Sequence, residues 1–216
     1  MAYVLHQKPR PWHLLIVVVT LGAMGMAQLV MIGLDFWGHY SDNIKGYLDD
    51  YAQMSEMFTT GHFLIRNLAV VLLVPIAEEL LFRGIICAEL RRFLPDGWVI
   101  FITGALFALF HMNVVQSSYV FFAGLAITAV YIWTRSIYLS IFMHMFYNFM
   151  GSSWQLLFQD NSLVQAITVI IELLAIPAGI VILVGLYMHY RPSQDKMLRA
   201  LQARVGALGQ APYGRG

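Results

Sequence analysis

Long apolar runs alternate with short polar stretches along this chain, and most of the runs are close to a bilayer in length. Six stand out, at residues 14–33, 63–87, 98–111, 119–133, 137–157 and 164–188. A helix needs about 20 apolar residues to cross the hydrocarbon core, so the pattern predicts about six membrane helices. The second is expected to continue as a helix to Phe93, giving 63–93. The third and fourth are short, and the Gly151-Ser152-Ser153 patch weakens the end of the fifth. Connections of a few residues between the third, fourth and fifth predict one antiparallel unit. Between the first two runs, Ile44, Tyr47, Leu48, Tyr51 and Phe58 recur at helical spacing, with Asp49, Asp50 and Gln53 among them. That stretch, 41–58, reads as an amphipathic helix on the membrane interface, or else as a plain connector. After residue 191 a tail alternates basic and apolar residues, a pattern that fits a short surface helix; its glycine-rich last residues read as disordered. No internal repeat or second domain is visible. The expected fold is all-α, a single polytopic membrane helix bundle covering residues 1–216.

Composition agrees with the pattern. Hydrophobic residues make up 59% of the 216 positions and charged residues 12%, with a mean hydropathy of +0.68. A soluble domain carries about 25% charged residues, so a soluble globular protein is excluded. The net charge of +1 gives no sign of a nucleic-acid partner. Cys87 is the only cysteine, which rules out an intrachain disulfide. No cleavable signal peptide is evident. Lys8 and Arg10, Arg91 and Arg92, Arg135, and the group Arg191, Lys196, Arg199 and Arg204 all fall on one side if there are six spans. The other side carries Lys45 and Arg66 with Asp42, Asp49, Asp50 and Glu56. Basic residues stay inside, so both termini are expected in the cytoplasm, with the protein integral to a bacterial cytoplasmic membrane.

One stretch breaks the apolar pattern. Glu78-Glu79-Leu80-Leu81-Phe82-Arg83 lies within the second run. A charge near the bilayer centre costs about 2.5–3.5 kcal/mol on insertion scales, so such residues point first to a functional site. Glu79 and Arg83 are four apart and can pair on one helix face. Glu78 is turned about 100° from Glu79 and points elsewhere. His111 ends the third run, one turn after Phe107, and His144 and Asn148 share a face of the fifth. Taken singly, these are a structural ion pair, a polar helix end and interhelical hydrogen bonders. Depth links them. Glu78 and His111 each lie thirteen residues from the cytoplasmic ends of their runs, at Arg91 and Trp98, or roughly 20 Å at helical rise. Asn148 is roughly 18 Å deep and His144 roughly 12 Å. A base, two imidazoles and an amide can thus meet in one layer, with the equipment for hydrolysis. Glu172, near Pro177 in the sixth run, is a further intramembrane acid without an evident partner.

Glu78-Glu79-x-x-x-Arg83, Phe107-x-x-x-His111 and His144-x-x-x-Asn148, in that order on apolar segments, resemble the three motifs of the CPBP family. These are the CAAX-protease and bacteriocin-processing intramembrane proteases. The resemblance covers about residues 74–151. It implies that Glu78 and His111 activate the attacking water, that His144 and Asn148 stabilise the oxyanion, and that Glu79 and Arg83 hold their helix in place. It implies a peptide or membrane-protein substrate reached in the lipid bilayer.

Three other readings remain beside a metal-free protease. Zinc could be held by Glu78, His111 and His144 with one position open, although no His-Glu-x-x-His pair is present. A non-catalytic membrane partner, in an immunity or scaffold role, could use the same fold. A small transporter could use Glu78 as a proton site, although repeated halves are lacking. The expectation adopted is the metal-free endopeptidase, without cofactor.

Overall fold

The computed structural model describes residues 14–59 and 62–209, and for 57–59 and 191–209 the backbone alone. Lys8, Arg10 and residues 210–216 lie outside it, as do the side chains of Phe58 and of the basic residues after Tyr190. Among the described residues the chain forms helices and no strand. In order these are α1 (Ile16–Gly38), α2 (Asp42–Thr59), α3 (63–90), α4 (Asp96–Phe110), α5 (Val114–Thr134), α6 (137–157) and α7 (Ser162–Gly209). Helices α3 and α6 are continuous but not uniform. Wider π-helical turns occupy Leu68–Leu73 and Leu80–Ile86 in α3, and Phe149–Trp154 in α6.

Several boundaries differ from the apolar runs, each for a local reason. Helix α1 continues past Gly33 to Gly38, and Phe36, Trp37 and Tyr40 stack edge to face at its end, as aromatic residues do at a membrane interface. Helix α3 stops at Leu90 instead of Phe93. Residues 91–93 form a turn, Arg91 pairs with Asp96 at 3.2 Å, and Pro95 is extended ahead of α4. Helix α5 begins at Val114, before the apolar run at Tyr119. Asn113 caps it by accepting from the Gln116 N–H at 2.9 Å, and Ser117 Oγ donates to the Ala108 carbonyl at 2.7 Å. Arg135, in the left-handed region at φ 54°, ends α5. Helix α7 passes Pro177 and runs on through the stretch expected as a separate tail helix.

Helices Ile16–Gly38, Val114–Thr134 and Ser162–Tyr190 are long and apolar enough to cross a membrane, and Asp96–Phe110 is a shorter apolar helix. Their roles differ. The apolar window of α5 is 61% buried, whereas that of α7 is only 22% buried, so α5 is central and α7 offers most of its surface outward. Leu174, Val181 and Met188 on that outer surface are each at least two-thirds exposed, which suits lipid. Helix α1 packs most extensively against α7 and also against α5, while α4 packs against α5. Inside a bilayer, helices gain little from hiding apolar surface and depend on close packing. Glycines provide it. A Cβ on Gly22 would sit 2.7 Å from the Ala175 carbonyl oxygen, and one on Gly25 would strike the Glu172 carbonyl. One on Gly124 would lie 3.1 Å from Gly104. Buried hydroxyls on Thr20, Thr128 and Thr134 donate to carbonyls four residues back at 2.7–2.9 Å, so no polar atom there needs water.

Candidate active site

The site is built on the face that α3 turns toward α5 and α6. Arg83 is fully buried. Its Nη1 donates to Glu79 Oε1 at 2.6 Å, and its Nη2 donates to the Gly124 carbonyl at 3.1 Å. That carbonyl is reachable because α4 and α5 cross at Gly104 and Gly124 without side chains between them. The Arg83 guanidinium also lies 4.8 Å from the centre of the Phe107 ring, a cation–π contact. Glu79 is likewise fully buried.

His144, 3% exposed, joins this pair to Glu78. Its Nδ1 lies 2.9 Å from Glu79 Oε1, and its Nε2 lies 3.5 Å from Glu78 Oε2. A carboxylate that already accepts from Arg83 accepts again, so His144 Nδ1 carries the proton. The second imidazole nitrogen is therefore aimed at Glu78, whose side chain is 15% exposed. If His144 is cationic, Arg83, Glu79, His144 and Glu78 sum to zero charge, which is what a buried cluster requires.

Phe107 is the hub of the site. Its ring stands edge to face against His144 at 5.4 Å, His111 at 5.0 Å and Phe82 at 5.2 Å between centroids. His111 caps the end of α4 and donates from Nδ1 to the Phe107 carbonyl at 2.9 Å. A carbonyl only accepts, so this bond leaves Nε2 as the unprotonated nitrogen of neutral His111. Asn148, one turn beyond His144, donates from Nδ2 to the Val70 carbonyl of α3 at 2.9 Å. This uses one of its two amide N–H groups.

The structure thus brings Glu78, Glu79, Arg83 and His144 into direct contact. It ties Asn148 to the same helix pair, and it links His111 to the cluster through Phe107. Sequence reasoning missed the Gly124 and Val70 carbonyls as partners. Backbone acceptors carry no residue signature, although two glycines in apolar helices are a sign of close approach. Glu172, also fully buried, has its partner elsewhere. It accepts from Gln28 Nε2 at 3.0 Å in the seam between α1 and α7. Among the described residues no three His, Cys, Asp or Glu side chains are grouped to hold a metal ion. Glu78, His111 and His144, as arranged, do not form such a set.

No curated protein and no solved structure matches the chain. Residues 60–150, which hold all three motifs, match the family model described as type II CAAX prenyl endopeptidase Rce1-like, and this bears out the resemblance to the CPBP family.

Proposed function

We propose that the protein is an intramembrane endopeptidase that hydrolyses a peptide bond of a membrane-associated peptide or protein without a metal. The family match suggests CAAX-type intramembrane proteolysis. The observation that carries the mechanism is His144, held at Nδ1 by the Arg83-paired Glu79 and aimed by Nε2 at Glu78. In this reading Glu78, with the free Nε2 of His111, accepts a proton as water attacks the scissile carbonyl carbon. The carbonyl oxygen becomes an oxyanion, stabilised by the Nε2–H that a doubly protonated His144 carries and by the second N–H of Asn148. Collapse breaks the C–N bond, and the proton held by Glu78 passes to the leaving amine. Glu79 orients His144 as the third member of a triad orients its base, and Arg83 holds Glu79 in place through the 2.6 Å pair. The chain crosses the bilayer about six times with both termini in the cytoplasm, so the site lies within the membrane.

The test is cleavage of a membrane-peptide library by detergent-purified protein, read by mass spectrometry. Cleavage should occur and should fall by about 10²–10⁴ in Glu78→Ala, the range for a lost general base. Undiminished cleavage by a folded Glu78→Ala variant would overturn the reading.

A further inference from the structure

We infer that Pro75 is a positioning residue for Asn148, because it withholds the backbone donor that the Val70 carbonyl would otherwise take. The inference rests on the reading of Asn148 as an oxyanion donor. In an α-helix the Val70 carbonyl accepts from the N–H four residues on, at Val74. Here that turn is π-helical, and the Val74 N–H goes to the Ala69 carbonyl, five residues back. The π pattern shifts the Val70 carbonyl to the next donor, residue 75. Position 75 is proline, buried at the start of the α-helical turn Val74–Glu79, and it has no N–H. The carbonyl is left without a helical partner at the depth of an apolar seam, where an unmet acceptor is costly. Asn148 Nδ2 fills the gap at 2.9 Å.

The consequence is directional. Asn148 is partly buried, and its amide could rotate. The bond to Val70 fixes the plane of that amide, with one N–H committed to α3 and the other set relative to His144. The proline lies three residues before Glu78 on the same helix. One backbone feature therefore ties the proposed oxyanion donor to the helix that carries the proposed base. A misplacement of about 1 Å at such a donor can cost about 10²-fold in rate.

Pro75→Ala restores an N–H to position 75 and adds no bulk, so the variant is expected to fold at least as stably as the parent. With the Val70 carbonyl satisfied within the helix, Asn148 is released. The expected result is a kcat about 10–100-fold lower with little change in KM, a thermal midpoint in detergent equal to the parent's or higher, and a hydrogen-exchange-protected amide at position 75. In an Asn148→Ala background the same substitution should cost nothing further, since the donor it positions is gone. A full kcat in Pro75→Ala, or an equal loss with and without Asn148, overturns the inference. If Pro75→Ala is destabilised, Pro75→Ser supplies the same N–H, and a full kcat there overturns it as well. A folded Asn148→Ala variant as fast as wild type overturns the proposed role of Asn148 itself. A slow Asn148→Ala beside an unaffected Pro75→Ala overturns only the inference.

Discussion

Two helix seams in this bundle are held by opposite means. Where α1 crosses α7, glycines at 22 and 25 bring backbone onto backbone at Glu172 and Ala175. Where α3 runs beside α6, polar groups span the gap. Moving forward along α6 from His144 to Asn148 to Ser153, their partners on α3 run backward from Glu79 to Val70 to Asn67, an antiparallel ladder. The first seam lies in regular helix, while the second is interrupted by π-turns on both sides. Wider turns of this kind recur at functional sites. Close packing supplies structure at low cost in lipid. Buried polar ladders are costly to form and fail badly when one member is removed, and this is the seam to which the proposed chemistry is assigned.

The comparison makes different substitutions lethal in each place. In the α3–α6 seam, removing a charge should do the most damage. Glu79→Gln leaves the fully buried Arg83 unneutralised and frees the His144 ring. Breaking a buried pair typically costs about 3–5 kcal/mol, so this variant should show poor yield and a lower thermal midpoint. A Glu79→Gln protein with parental stability would show that Arg83 gets its neutrality from another group. In the α1–α7 seam, adding carbon should do the damage instead. Gly25→Val drives a side chain into the Glu172 carbonyl and is expected to cost about 1–3 kcal/mol by overpacking. Gly33, farther along the same helix, would meet nothing within 4 Å. Gly33→Ala should therefore be neutral, or stabilising by up to about 1 kcal/mol. Thermal unfolding of the two variants side by side checks whether the seam, and not glycine itself, is responsible.

How much of this was legible in the sequence follows the same division. The Glu79–Arg83 pair could be read from i, i+4 spacing, because one helix fixes both partners. The His144–Asn148 face could be read likewise. Contacts between helices were less visible. Depth counting placed Glu78, His111 and His144 in one layer, but it could not show that the Phe107 ring meets both His111 and His144 edge to face. Nor could it show that the Gly151-Ser152-Ser153 patch is an anchor. Ser153 is 1% exposed and bonds Asn67, whereas hydropathy records the same residues as a weak helix end. Hydropathy averages a residue's cost over all surroundings, and a satisfied hydroxyl inside a bundle costs little. The start of α5 was hidden for the same reason, since the hydroxyls of Ser117 and Ser118 are bonded to the carbonyls of Ala108 and Val115.

Glu172 sharpens the contrast, being a polar residue inside the glycine seam. Its carboxyl touches Gln28 and takes no part in the Glu78–His144 cluster. Glu172→Gln keeps the shape and retains an acceptor for Gln28. It should change stability by no more than about 1 kcal/mol, the worth of one hydrogen bond, and leave peptide cleavage unchanged. A large loss of cleavage without loss of fold would move Glu172 into the site and break the division between the seams.

The smallest effect expected is that of a chelator. A catalytic zinc takes three protein ligands and leaves one position open. Among the described residues no three His, Cys, Asp or Glu side chains are grouped in that way. His144 Nδ1 is 2.9 Å from Glu79 and its Nε2 is 3.5 Å from Glu78. His111 donates from Nδ1 to the Phe107 carbonyl, and its ring and that of His144 both meet the Phe107 ring edge to face. To ligate one ion, Glu78, His111 and His144 would have to come into a grouping that is absent among the described residues. Purified protein incubated with a strong chelator should therefore keep its cleavage rate, and elemental analysis should find no stoichiometric zinc. The paired variants decide between the mechanisms. With His144 and Asn148 both acting as oxyanion donors, His144→Ala and Asn148→Ala should each slow turnover by about 10²–10³-fold without changing metal content. A zinc enzyme would behave asymmetrically. Metal would leave in His144→Ala and stay in Asn148→Ala, and zinc would restore chelated wild type. That outcome would show that the polar seam rearranges around an ion, with Glu78 serving as a ligand or as the base beside metal-bound water.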